Sequence, residues 1–134
     1  MTLNRTAGDL LVTYDFSGSG TPTLGINFWL TAAAGNTVSQ CFASNALPCW
    51  GDHKDLGTNA EGAVNSGTVT EPIAGGSLSA GLFGEASINL TKAGVFKAGV
   101  CEAFGSAFVK SRSSSSFTAE LKDFIASLRG PSFP

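Results

Sequence analysis

Residues 9–16 alternate in hydrophobicity. Leu10, Val12, Tyr14 and Phe16 fall on one side, and Leu11, Thr13 and Asp15 on the other. That two-residue period is the mark of a half-covered β-strand. A turn-rich stretch, Ser17-Gly-Ser-Gly-Thr-Pro22, follows. The alternation then resumes, with Leu24, Ile26, Phe28 and Leu30 opposite Gly25, Asn27 and Trp29. Together these predict a hairpin with one apolar and one polar face. Residues 60–70 are Gly-rich and β-branched and predict one or two short strands; residues 72–79 read as a loop. In residues 85–90, Ala86, Ile88 and Leu90 point inward and Glu85, Ser87 and Asn89 outward. Residues 100–109 are apolar on both faces, which predicts a central strand covered from both sides.

The final element reads two ways. As a strand, Phe117, Ala119 and Leu121 share a face; as a helix, Phe117, Leu121, Phe124, Ile125 and Leu128 form an apolar stripe. The short spacer of residues 113–116 favours a strand over about 117–123, with a short C-terminal helix left open after it. The expected fold is therefore all-β, an antiparallel β-sandwich of seven or eight short strands in a single domain of residues 1–134.

Composition sharpens this reading. Charged residues are 13% of the chain, about half the ~25% usual for soluble domains, and small polar residues and glycine fill the gap. This suits tightly packed strands that sit against copies of themselves. The net charge is −2, with no basic stripe, so nucleic-acid partners are not expected. No apolar run nears the ~20 residues that span a bilayer, so no transmembrane segment is expected. The opening, Met1-Thr-Leu-Asn-Arg-Thr6, lacks the apolar stretch of a signal peptide. The expectation is a module or processed fragment of a longer secreted or cell-surface protein.

Cys41 and Cys49 bracket the loop CFASNALPC and predict a disulfide, which leaves Cys101 buried or bridging to another chain. His53 could join the cysteines in a zinc set, but the spacing forms no knuckle. Asp52, His53 and Asp55, with Glu61 nearby, are the metal candidates, and Ca²⁺ is the ion that oxygen ligands in a loop would take; no other cofactor is expected. No nucleophile elbow or phosphate loop is present, and the chain does not read as an enzyme. Trp29 and Trp50, with Tyr14, are candidates for stacking on a polysaccharide, although tryptophan more often packs in a core or interface. Lys110 and Arg112 read as the exposed tip of a hairpin, and so as an assembly contact.

Five blocks carry a resemblance: RTAGDLLVTYD (5–15), PCWG (48–51), FGEASINL (83–90), CEAFGSAFVKSRS (101–113) and SFTAELKDF (116–124). Together they resemble a module that recurs in large secreted or cell-surface proteins of bacteria, notably actinobacteria. It stands there beside immunoglobulin-like, prealbumin-like or adhesin-type repeats. The resemblance implies a secreted, non-enzymatic β-sandwich whose role is structural or adhesive. Its partners would be copies of itself or neighbouring domains. It transfers no catalytic or ligand residue.

Overall fold

The computed structural model describes residues 4–16, 21–71, 73, 75–100, 104–117, 119 and 121–129, with the backbone alone at 121 and 123–129. The fold is all-β and every pairing is antiparallel. β1 (Leu10–Asp15) pairs with β2 (Thr23–Leu30) in the register Leu10↔Phe28 to Asp15↔Thr23, so the two alternating runs do form a hairpin. β2 continues to β3 (Cys49–Trp50) and β4 (Lys54–Asp55), which completes a four-stranded sheet. Three two-stranded ribbons follow. β5 (Ala60–Val64) pairs with β8 (Gly84–Ile88), β6 (Val69–Thr70) with β7 (Ser77–Leu78), and β9 (Ser106–Arg112) with β10 (Leu121–Arg129). The only helical pieces among the described residues are 3-10 turns at Ala32–Ala34, Val38–Gln40 and Gly57–Asn59.

The core lies between the first hairpin and the β5–β8 ribbon. Leu24, Ile26, Leu56 and Ala93 are buried there, with Leu10, Tyr14, Phe28, Ala60, Ile88 and Val95 packed around them. Close approach of the two layers depends on Gly62. A Cβ at that position would sit 2.8 Å from both the Leu24 Cδ1 and Pro22 Cγ atoms. The Tyr14 hydroxyl spans the layers and donates to the Ala63 carbonyl at 2.8 Å. Burial pushes the Tyr14 phenol above its ordinary 10.0. This two-layer contact is compatible with a sandwich.

Several expectations are corrected. On the apolar face of the first hairpin Val12 and Phe16 are 42% and 40% exposed, while Thr13 and Asn27 on the polar face are buried. The reason is that a loop and the end of the β9–β10 hairpin cover that polar face. The 72–79 loop contains β7, which pairs with β6 around the positive-φ Gly75. The 100–109 segment is not a doubly covered strand. Its strand is Ser106–Arg112, its one neighbour among the described residues is β10, and Val100, Phe104 and Val109 are about half exposed. Apolar side chains on both faces reveal a wish for cover, not the layers that supply it. The last element is a strand, as preferred, but it runs from Leu121 to Arg129, with no helical turn in its place. Register shifts between Leu121 and Phe124, and between Ile125 and Leu128, let it keep pairing with β9.

Candidate functional site

Backbone register places Thr13 opposite Gly25, and Leu11 opposite Asn27, on the first hairpin. Lys54 and Asp55 pair with Ile26 and Gly25, so His53, one residue ahead of β4, arrives over the polar face of β2. Gly25 makes room for it, since a Cβ there would run into the imidazole ring. Asn27, fully buried, holds the ring from below. Its Nδ2 donates to the Gly51 carbonyl at 2.7 Å, which turns its Oδ1 toward His53 Nδ1 at 2.9 Å. A carbonyl only accepts, so the amide orientation is settled, and Nδ1 is the protonated ring nitrogen. His53 Nε2 lies 3.3 Å from the exposed carboxylate of Asp55.

The β9–β10 hairpin closes the same face from the side. Arg112, the last residue of β9, forms an ion pair with Asp15 at the end of β1. Its other guanidinium nitrogen donates to the Ser115 and Ser116 carbonyls, both at 3.2 Å. Beside it, Phe117 meets Phe42 edge to face, with centroids 5.0 Å apart. Phe42 in turn leans on the His53 ring at 5.8 Å. A pocket of about 250 Å³ results, lined by Thr13, Asp15, Phe42, His53, Arg112 and Phe117. The Thr13 hydroxyl, enclosed in a residue only 7% exposed, has no hydrogen-bond partner among the described residues.

The residues singled out from the sequence fall into separate places. Cys41 and Cys49 are joined by a disulfide, and Cys41 and Phe42 pair with Trp50 and Gly51 at the edge of the sheet. Cys101 lies outside the described residues. Trp29 and Trp50 are cross-strand partners, edge to face at 5.0 Å. Arg5 lies over both rings, 4.9 and 5.4 Å from their centroids. Asp52 is exposed; Asp55 and Glu61 line a wide groove of about 650 Å³. Among the described residues, no three His, Cys, Asp or Glu side chains come together in a way that would hold a metal ion.

Lys110 and Arg112 are strand residues, opposite Phe124 and Leu121, and the turn itself is residues 113–117. Arg112 differs from an exposed tip because Asp15 draws it inward. Lys110 has its ammonium held below the usual 10.5, first by burial and then by the charge of Arg5.

Thr13, Asp15, Asn27, Phe42 and Phe117 escaped the sequence reading of the site. One signal was legible. A strand face that carries Gly25 and Asn27, with Thr13 across from Gly25, is small and polar, which invites a side chain from elsewhere to pack on it. The partners themselves come from distant segments and leave no local trace.

No protein-family model matches the chain, and neither a curated protein nor a solved structure matches it. Fold and geometry therefore define the class: an all-β, disulfide-bearing protein. No helix among the described residues is long and apolar enough to cross a membrane.

Proposed function

We propose that this chain is a non-enzymatic, extracellular structural or adhesive module that associates with copies of itself through its strand edges. One observation carries the reading: among the described residues the sheets are small and end in edge strands, two of which display apolar side chains to solvent. β1 ends the four-stranded sheet and bears Val12, 42% exposed; β9, paired with β10 among the described residues, bears Val109, 55% exposed. An open edge with exposed apolar residues is a template for pairing with another chain. The Cys41–Cys49 disulfide and the low charge density are in keeping with an oxidising, extracellular setting.

A polysaccharide-binding role for Trp29 and Trp50 has less support. The rings meet edge to face, and the Arg5 guanidinium occupies the position a sugar would stack on. Size-exclusion chromatography and electron microscopy over a concentration series test the assembly. The expected result is concentration-dependent oligomers or fibres that a charge on the edge, Val109→Lys, suppresses. A strictly monomeric protein at the highest attainable concentration would sink the self-association.

A further inference from the structure

We propose that two copies of this chain meet through the outer edge of β9, antiparallel and two-fold symmetric, with Val109 of one copy opposite Val109 of the other. The proposal rests on the self-association put forward above and specifies its strand, symmetry and register.

Three features point to β9. The first is an open edge. Among the described residues β10 is its one neighbour, and Ala107, Val109 and Ser111, which share a face, are exposed. A strand edge without a neighbour offers backbone N–H and C=O groups to a strand of another chain. The second is regularity. From Arg112↔Leu121 to Lys110↔Phe124, and again from Val109↔Ile125 to Ala107↔Leu128, the extra residue lies on β10. The bulges therefore blunt the far edge of β10, while β9 keeps an unbroken edge over its 7 residues.

The third is self-complementarity. Antiparallel pairing centred on Val109 sets Val109 against Val109, Ala107 against Ser111, Ser106 against Arg112, and Phe108 against Lys110. The two-fold axis repeats each unlike pair. Directly opposed side chains have Cβ atoms about 4.5–5.5 Å apart, which puts each ammonium within cation–π reach of the ring across from it. Within one chain the Lys110 ammonium already lies 5.9 Å from the Phe108 centroid, so both groups stand on the face where the second contact would form. The neighbouring symmetric registers are worse. Centring on Lys110 opposes two ammonium groups, and centring on Phe108 sets Lys110 against Ser106; both shorten the overlap. The edge strand β1 lacks this match, because Val12 against Val12 would bring Asp9 opposite Asp15.

The test is disulfide trapping of single-cysteine variants in a Cys101→Ser background. Opposed Cα atoms of an antiparallel pair are about 4.5–5.5 Å apart, a span a disulfide bridges. Under mild oxidation Val109→Cys should dimerise about tenfold faster than Ser114→Cys in the exposed turn, because pairing raises the local thiol concentration. Ala107→Cys and Ser111→Cys should each stay monomeric alone and crosslink to one another when mixed, which reads the register. Lys110→Gln removes both cation–π contacts and should weaken the dimer about tenfold in sedimentation. The proposal is overturned if the chain associates while Val109→Cys crosslinks no faster than Ser114→Cys, or while Val12→Cys is trapped in its place. Self-association then stands and its site is another. It is equally overturned if Ala107→Cys and Ser111→Cys give no mixed product, or if Lys110→Gln leaves the dimer as tight as wild type. A chain that is monomeric at every attainable concentration removes both readings.

Discussion

At the scale of single residues, the polar face of the first hairpin shows how one small side chain admits a group from elsewhere. Gly25 leaves the space His53 occupies, and Asn27 supplies the oxygen that fixes its ring. Lys110 has the opposite circumstance, since burial and Arg5 both disfavour its charge. Its native value is lowered below the 10.5 of the unfolded chain, so the folded state binds its proton less well. Below the native value the penalty is present in full. As pH rises toward 10.5, the unfolded chain holds more protons than the folded one, and the penalty fades. Lys110→Gln should therefore be slightly more stable than wild type at pH 7, by less than about 0.5 kcal/mol because the ammonium is mostly hydrated. The difference should close as pH approaches 10.5. Denaturant midpoints of the two proteins at pH 7 and in the alkaline range check this. The comparison must be between the variants, because Tyr14, raised above 10.0, lowers the stability of both above that pH.

Among the elements, short strands depend on constraints that long ones do not. β3 has only Cys49 and Trp50, yet it pairs with β2 on one side and approaches Cys41 and Phe42 on the other. The disulfide closes a loop with a sequence separation of 8 and ties that edge down. Loop-closure entropy for so short a ring gives about 2–3 kcal/mol. The double substitution Cys41→Ser, Cys49→Ser should lower the unfolding free energy by about that amount, read from urea midpoints with and without reductant; an unchanged midpoint would contradict it. Strand type was largely legible here. The hairpin β1–β2, the weak strands β5 and β6, and the strand character of β10 all followed from period and turn residues. β7 was not, since a two-residue strand has no period to read.

Over the whole molecule, an ion pair joins distant parts of the chain. Arg112 and Asp15 connect the β9–β10 hairpin to the four-stranded sheet across 97 residues of sequence. Both side chains are partly buried, 21% and 29% exposed, so water screens the pair less than at an open surface. Arg112→Ala should cost about 1.5–3 kcal/mol, the range for hydrogen bonds to charged groups. The hairpin should loosen first. Amide exchange should speed up in β9 and β10 and stay slow in β1 and β2. Uniform acceleration throughout the chain would show instead that the pair secures the entire fold.

The sequence by itself determined the all-β class, the first hairpin and the Cys41–Cys49 pairing. Each rests on local chemistry: side chains that alternate with period two, glycine and proline in turns, and two cysteines close along the chain. Which face of a strand is covered was beyond its reach. Val12 and Thr13 are neighbours on one strand, and the polar one is the more buried because His53 and Arg112 come to it from far along the chain. The pocket is likewise a product of tertiary structure alone. Its walls and charges belong to segments separated by dozens of residues, and only packing brings an ion pair and two aromatic rings into one small space.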